Sequence, residues 1–385
     1  MDTQFIFNKY VTGKNFVGRQ SELNTFRNLL LQSENVAIYE PPKSGKGSFL
    51  QQTFFSMKMS GSKDLVAQLS LLPVRSLTDF ALGFGSAVLG AFGHSQADHS
   101  ANAALYLSDT HFVFDPQAFA ADGSILSLNW DIDDEDLSAV LSLPYRIAQD
   151  NSTKIIVVLD EFQNIMQTED GDKVCKLLSK IFETTDPGLR RHAAFVFTGS
   201  QVNAMKDIFA VRKLFYRQVN ILPLGQIDTK DIIDHAVKAF LTNGKVLDRE
   251  LMLGVCKLFR GHIGYINQLC FICDSLTKGY IMEPILVESL ETLLAVHSPR
   301  FEATMNDLTT FQLNLLRAIM DGQTKFSSSE VIRRYGLNSS ANVRRLKDAL
   351  CKKEIVTFDD NDVPSFLDPL FEYWAGKYFF KIKAD

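Results

Sequence analysis

Long apolar runs are missing from this chain of 385 residues. No uninterrupted apolar stretch approaches the roughly 18 residues that a membrane-spanning helix needs, so we expect no membrane partner. The opening residues, MDTQFIFNKY, also lack the basic-then-apolar order of an export signal. These absences predict a cytoplasmic protein.

Cysteine is scarce, with five residues scattered along the chain. An odd and scattered set does not describe a disulfide framework, and reduced thiols suit the cytoplasm. Cys270 and Cys273 form a CxxC, but no second pair follows at the spacing of a zinc site. Because their surroundings, QLCFICDSL, have the pattern of an apolar helix, we assign them to core packing.

An excess of basic residues is also lacking, since 40 Lys and Arg stand against 45 Asp and Glu, a formal net charge of −5. This balance argues against a surface that is basic throughout and binds nucleic acid, although a local basic patch is compatible with it. The apolar share of 46% and the charged share of 22% are those of a folded globular protein. The length predicts two or three domains.

What the chain does contain is a short apolar strand that runs into a phosphate-loop pattern, VAIYEPPKSGKGS at residues 36–48. The full pattern, G-x-x-x-x-G-K-[ST], needs its first Gly for backbone approach, its Lys for the phosphates and its hydroxyl for Mg²⁺. We therefore predict a site for ATP and Mg²⁺. Its predicted cofactor-binding residues are Pro41, Pro42, Lys43, Ser44, Gly45, Lys46, Gly47 and Ser48.

The loop departs from the full pattern at two positions. Glu40 stands where the first Gly belongs, and a carboxylate about 4 Å from a phosphate is repelled by about 4 kcal/mol at an effective dielectric of about 20. The Glu40 side chain must therefore point away, be protonated, or leave a poor nucleotide site. Gly47 stands where the metal-binding hydroxyl belongs, although Ser48 or a water can substitute as the metal ligand.

A second candidate motif follows the buried strand IIVVL, which delivers Asp160 and Glu161 to the carboxyl edge of the sheet. We assign Asp160 to Mg²⁺ and Glu161 to the water that attacks the γ-phosphate; two solvated acids in a loop are the alternative. Ser200, in the turn TGS, is a candidate γ-phosphate sensor or simply part of a turn. Arg217 can reach a phosphate in the same or a neighbouring subunit, or is an exposed structural arginine.

Alternating strands and helices predict an α/β fold with a doubly wound parallel sheet, forming a P-loop NTPase core over residues 1–222. Residues 223–303 have the pattern of helices only, which predicts an all-helical lid. Residues 304–385 predict a winged helix-turn-helix domain, with three helices and a hairpin, and a capping box of Ser327 and Glu330. Residues 92–136 form an irregular insertion with short strands near 111–114 and 125–129.

The third predicted helix of the winged segment and the turn of its hairpin bear on DNA binding. In the helix at 338–350 three basic side chains face solvent and are tentative DNA contacts: Arg344, Arg345 and Lys347. The turn of the hairpin carries three carboxylates that repel a phosphate backbone: Asp359, Asp360 and Asp362. A regulatory or protein-contact role is therefore favoured over DNA binding.

With these residues in hand, the chain resembles the archaeal-type P-loop ATPase family of the AAA+/STAND class, which is also widespread in bacteria. The similar segments are FVGRQSEL, LDEFQ, TGSQVNAM, LFYR, GHIGYINQL and DPLFEYWAGKYF. The resemblance implies roles for five residues. These are Lys46 on phosphates, Asp160 on metal, Glu161 as base, Ser200 as sensor and Arg217 as a γ-phosphate or conformational sensor.

The chain departs from that family at Glu40, Gly47 and Ile263, where the family has glycine, a hydroxyl and the proline of its lid motif. The resemblance and its departures together predict an ATP-binding, slowly hydrolysing switch in which ATP or ADP sets the position of the winged domain. A protein partner would bind through the lid or the winged domain, and the switch can be a homo-oligomer. The alternatives are a DNA-binding ATPase resembling replication initiators and a non-hydrolysing scaffold.

Overall fold

The computed structural model describes residues 4–382, so the predicted domain limits at residues 1 and 385 lie outside the described residues. The chain divides into two compact units. The first comprises the described residues of Met1–Arg19, Pro41–Gln52 and Gly225–Asp385, and the second comprises Gln20–Glu40 and Thr53–Leu224. The predicted limits at 222 and 303 stay a prediction. None of the helices in residues 4–382 is both long and apolar enough to cross a bilayer.

The strands of the described chain are short. They are β1 Asn35–Tyr39, β2 Leu65–Ser70, β3 Phe112–Phe114, β4 Leu126–Leu128, β5 Ile155–Asp160, β6 Ala193–Gly199, β7 Val219–Ile221, β8 Val246–Leu247, β9 Tyr280–Ile281, β10 Val356–Phe358 and β11 Pro364–Phe366.

The α-helices of residues 4–382 occupy most of the remaining chain. They are α1 Gln20–Leu31, α2 Lys46–Met59, α3 Leu77–Phe92, α4 Gln96–Tyr106, α5 Pro116–Asp122, α6 Asp134–Asp150, α7 Gly171–Thr184, α8 Pro187–Arg190, α9 Val202–Lys206, α10 Thr229–Thr242, α11 Arg249–Leu258, α12 Ile263–Leu276, α13 Glu283–Asn306, α14 Thr310–Met320, α15 Ser329–Tyr335, α16 Ser340–Lys352 and α17 Pro369–Trp374.

The second unit is built on a five-stranded sheet in the order β2-β5-β6-β1-β7. Every strand pair in it is parallel, which confirms the predicted α/β class. All of β6 and nearly all of β5 are buried, as expected of strands covered on both faces. The register pairs Tyr39 with Gly199 and Ser70 with Asp160, so neighbouring strands end at one edge of the sheet.

The insertion of the second unit contains more regular structure than the sequence predicts. The two short strands expected there pair antiparallel, β3 with β4. Helices α4 and α5 were not predicted, although a capping box of Ser95 and Asp98 starts α4 and Asp115 caps α5. The polar residues that suggested a loop are therefore the N-terminal cap of a helix.

The first unit has its own core, formed by the lid helices α10–α13 and the winged segment. The lid is not helical throughout, because β8 and β9 pair as a short parallel ladder. Helix α13 continues to Asn306 with Pro299 inside it, and so crosses the predicted boundary at 303. In the winged segment β10 and β11 form the expected hairpin. Ser328, not the predicted Ser327 with Glu330, caps α15, since its hydroxyl accepts from Val331 N.

Candidate functional site

The loop at residues 41–48 turns tightly before helix α2. Ser44 N donates to Pro41 O over 3.3 Å, and Phe49 N donates to Gly45 O over 2.9 Å as the first bond of the helix. Lys43 and Gly45 have positive φ values of 62° and 96°, a conformation that glycine adopts freely. The first N–H groups of a helix have no acceptor within the helix, so this end of α2 is suited to bind an anion.

Two side chains of the loop fit a phosphate group. Lys46 is buried at the start of α2. Ser44 is also buried, and its hydroxyl has no hydrogen-bond partner among residues 4–382. A buried hydroxyl without a partner costs about 1–3 kcal/mol, which a bound phosphate oxygen would recover.

The Glu40 side chain is tied to its own unit. Its Oε1 accepts a hydrogen bond of 3.1 Å from the backbone N of Leu224, which follows β7. Burial, with a smaller contribution from the Glu40 charge, raises the pKa of the neighbouring Tyr39. Glu40 therefore has a structural role, because it accepts a hydrogen bond from the backbone just beyond β7, the last strand of the sheet.

The metal half of the loop does not fit Mg²⁺. A Cβ added to Gly47 would lie 2.2 Å from Cε1 of the Tyr10 ring, so the space of the usual hydroxyl side chain is taken. The hydroxyl of Ser48 accepts from Val11 N over 3.1 Å. The sequence predicts Ser48 as a substitute metal ligand. In the structure its hydroxyl is instead bonded to the N-terminal segment. A loop without a hydroxyl facing the metal cannot supply the ligand that the full pattern provides.

In the second unit the predicted base and sensor lie together. Glu161 Oε2 accepts from Ser200 Oγ over 2.6 Å, from Ser200 N over 3.1 Å and from Gln163 Nε2 over 2.6 Å. Glu161 also has a positive φ of 54°, a strained conformation for a non-glycine residue. Three donors on one oxygen hold the carboxylate in place, so Oε2 can activate a water only after release from Ser200.

The neighbouring Asp160 is held at the end of β5. Its Oδ1 accepts from the hydroxyl of Thr198 and, over 3.1 Å, from Glu161 N. Thr198 is fully buried in β6, so the carboxylate is fixed by the adjacent strand. This arrangement orients one oxygen and leaves the metal role predicted for Asp160 untested.

Arg217, the predicted arginine sensor, is exposed. Its guanidinium lies over the Tyr216 ring, 5.1 Å from the centroid, and Lys213 lies over the same ring at 5.7 Å. Arg217 and Lys213 both have positive φ values, of 61° and 52°. The segment is therefore a tight exposed turn organised around Tyr216.

Within the first unit the start of lid helix α12 lies directly on the loop. His262 Nε2 donates to Pro42 O over 3.0 Å, while His262 Nδ1 accepts from Tyr265 N over 3.3 Å. Burial lowers the pKa of His262, which favours the neutral ring, and the bond to Pro42 O places its proton on Nε2. A Cβ on Gly264 would lie 2.6 Å from Lys43 O, so glycine permits the close approach.

The same helix is bonded to the winged segment. The His262 ring stacks on Tyr265 with centroids 4.4 Å apart. The Tyr265 hydroxyl donates to Asp368 Oδ2 over 2.8 Å and accepts from Arg300 over 2.9 Å. Arg300 also pairs with Asp368 at 2.8 Å, and Asp368 Oδ1 caps α17. A continuous set of contacts therefore joins the loop at Pro42 to the winged segment at Asp368.

The three tentative DNA contacts on α16 divide into two kinds. Arg344 and Arg345 are exposed, as predicted. Lys347 is not directed to solvent, because it pairs with Asp362 of the hairpin turn. Its ammonium also lies 4.7 Å from the ring centroid of Phe358 and 5.0 Å from that of Phe326. The prediction for Lys347 is corrected, since this lysine holds the hairpin to α16.

Sequence reasoning missed three residues of the site: Tyr10, His262 and Tyr265. His262 and Tyr265 lie within the segment GHIGYINQL, three residues apart, which is the spacing of neighbours on one helix face. That spacing could have indicated the pair. Nothing in the local sequence indicates Tyr10, because its contact is with a distant part of the chain.

The comparisons with known proteins agree with this architecture. A family model described as "Probable winged helix domain" matches residues 299–377. A search of curated proteins finds no relative of this sequence.

Solved structures are similar over nearly the whole chain. A Walker-type ATPase of Pyrococcus abyssi is 13% identical with a TM-score of 0.66, over 97% of this chain and 99% of that one. The ORC2 protein of Aeropyrum pernix in its ADP form is 11% identical with a TM-score of 0.57, over 99% and 98%. The same protein in ADPNP–ADP complexes is 12% identical with a TM-score of 0.53, over 97% and 96%. The chain therefore has the fold of the P-loop ATPases, with a winged helix domain at residues 299–377.

Proposed function

We propose that this protein is a cytoplasmic molecular switch that binds ATP or ADP on its phosphate loop and couples nucleotide occupancy to its winged helix domain. The observation that carries the proposal is the set of contacts from Pro42 through His262 and Tyr265 to Asp368. A ligand that moves the loop must also disturb the bond to His262. A switch of this kind needs an element that contacts the ligand site and the responding domain at once.

Nucleotide is the ligand that the loop chemistry supports. The buried Lys46, the partnerless Ser44 hydroxyl and the start of α2 all favour an anion with several oxygens. The structural neighbour from Aeropyrum pernix is described in ADP and ADPNP–ADP forms, which supports the same ligand here.

The four buried cysteines are thiols, which suits a reducing compartment such as the cytoplasm.

Hydrolysis on this switch is slow. Glu161 is the base, Ser200 its partner, and Arg217 a sensor within the chain or toward a second copy in a homo-oligomer. Glu161 must leave Ser200 before it can accept a proton from water, and that release limits the rate.

A protein is the partner that the winged domain best suits. The hairpin turn is acidic, and its Asp362 already neutralises Lys347. DNA binding is the second candidate, since Arg344 and Arg345 of α16 and Arg333 and Arg334 of α15 are exposed. Salt-dependent binding of duplex DNA that is lost in Arg344→Ala/Arg345→Ala would favour this candidate over a protein partner.

Calorimetric titration of ADP into the full chain tests the proposal. We expect saturable heat from the parent and a loss of at least about tenfold in affinity for Lys46→Ala, because a buried charge contact to phosphate is removed. Lys58→Ala, which removes an exposed lysine from the last turn of the same helix α2, is a matched control for loss of one positive charge. Absence of heat and of a thermal shift would support the scaffold alternative and refute the switch.

A further inference from the structure

We infer that the phosphate loop binds its nucleotide without Mg²⁺, so that ADP affinity is the same with and without the metal. This inference rests on the proposed function and specifies the ligand as the metal-free nucleotide. P-loop sites ordinarily bind nucleotide together with Mg²⁺, which a loop hydroxyl helps to hold. Here three features of the first unit replace or exclude that metal.

The first feature is the aromatic ring at the position of the missing hydroxyl. Three ring atoms of Tyr10 lie within 2.8 Å of the point where a Cβ on Gly47 would stand, the nearest at 2.2 Å. Real Cβ atoms do not approach carbon this closely, so any side chain at position 47 displaces the ring. The Tyr10 ring therefore fills the space that a side chain at position 47 would need, and no metal ligand is left at that position.

The second feature is the use of the remaining hydroxyl. Ser48 Oγ accepts from Val11 N, and the next turn of α2 repeats the arrangement, because Gln52 Oε1 accepts from Gly13 N over 2.7 Å. Ser48 and Gln52, on one face of α2, thus hold the N-terminal segment against that helix. Ser48 serves this attachment, which holds Tyr10 over Gly47.

The third feature is the supply of positive charge without a metal. Lys46 is buried at the start of α2, and a helix start carries roughly half a positive charge. Arg19 Nη1 lies 3.4 Å from the point where a Cβ on Gly45 would stand, so its guanidinium borders the loop. Two cationic side chains and a helix start balance the charge that Mg²⁺ would otherwise neutralise.

Titration of ADP into the full chain, in excess Mg²⁺ and in excess EDTA, tests the inference. We expect the two dissociation constants to agree within about twofold. Binding in Mg²⁺ with a loss of about tenfold or more in EDTA overturns the inference and leaves the proposed function standing. No binding in either buffer overturns both.

The Tyr10–Gly47 pair is tested by restoring the hydroxyl. Tyr10→Ala/Gly47→Ser vacates the ring position and returns a hydroxyl to it, and we expect Mg²⁺ to tighten ADP binding by about fivefold or more. Tyr10→Ala alone is the matched control and is expected to stay indifferent to Mg²⁺. Indifference of the double variant, with an unchanged thermal unfolding midpoint, contradicts the role assigned to the pair.

Discussion

His262 donates from Nε2 to the carbonyl oxygen of Pro42 over 3.0 Å, so a lid side chain is bonded to the backbone of the phosphate loop. The other ring nitrogen accepts from Tyr265 N, and the two rings stack. His262 is therefore held from both sides, and the loop cannot change its shape at Pro42 without affecting the start of α12. This histidine is the element through which we expect nucleotide to act.

Replacing His262 should separate the loop from the winged domain. In His262→Ala the bond to Pro42 and the stack on Tyr265 are both lost, so ADP should no longer alter trypsin cleavage at the exposed Arg344 and Arg345. The parent should show an ADP-dependent cleavage rate. His235→Ala, which removes a histidine from lid helix α10, is the control and should behave as the parent. A persistent ADP effect in His262→Ala would rule out this route.

The contact between lid and loop should weaken in mild acid. Burial lowers the folded pKa of His262 below its ordinary value of 6.5; the hydrogen bond to Pro42 and the charge of Asp368 oppose this shift, and the nearby Lys43 adds to it. A depressed pKa means that the unfolded or released state binds the proton more tightly, so the contact is fully stable above about pH 6.5. It is lost progressively as the pH falls from there through the folded pKa.

Hydrogen exchange of residues 41–48 at about pH 7.5 and about pH 5.5, corrected for the intrinsic rate, measures this loss. The parent should lose protection at the lower pH. His262→Gln keeps a side-chain amide but cannot titrate in this range, so its protection should not change. Equal pH dependence in both proteins would assign the effect to another group.

Removing the Tyr265 hydroxyl should destabilise the lid–winged contact. Tyr265→Phe deletes the bond to Asp368 and the bond from Arg300 while retaining the ring. We expect a loss of about 1–3 kcal/mol in the free energy of unfolding, because the partners are charged and partly buried. Chemical denaturation measures it. Tyr335→Phe, which removes a hydroxyl bonded to the exposed Asp321, is the control and should cost less.

Freeing Glu161 should raise turnover. Ser200→Ala removes the hydroxyl, one of three donors to Glu161 Oε2, and keeps the bonds from Ser200 N and Gln163. The carboxylate is then held less tightly and can move to a water more easily, so phosphate release should increase over the parent. Glu161→Gln should leave nucleotide binding intact and abolish phosphate release. A decrease in Ser200→Ala would mean that Ser200 assists the reaction itself. Equal release from Glu161→Gln and the parent would exclude Glu161 as the base.

The elements that could be predicted are those with a clear pattern of apolar residues. Strands β1 and β5 coincide with the apolar runs VAIY and IIVVL, each with one further residue, because continuous apolar runs buried on both faces have few alternatives. Helices α4 and α5 were missed since their first turns are polar caps, which resemble loops. The extension of α13 through Pro299 was missed because proline ordinarily ends a helix.

The site is less predictable than the sheet. The loop and the acidic strand end are local patterns, so Lys46, Glu161 and Ser200 could be named from the sequence. The partner of Gly47 could not, because Tyr10 reaches it only through the folded N-terminal segment. Lys347 was misplaced for the same reason: a helical projection shows which face a residue occupies, not that a hairpin covers it.

The central claim is that nucleotide binding on the loop alters the winged domain. Hydrogen-exchange mass spectrometry of the full chain, with and without saturating ADP, tests it most directly. We predict altered exchange in three segments together: the loop at 41–48, the start of α12 at 262–265 and the winged segment at 366–374. Altered exchange confined to the loop would contradict the claim, because nucleotide would then bind without reaching Asp368.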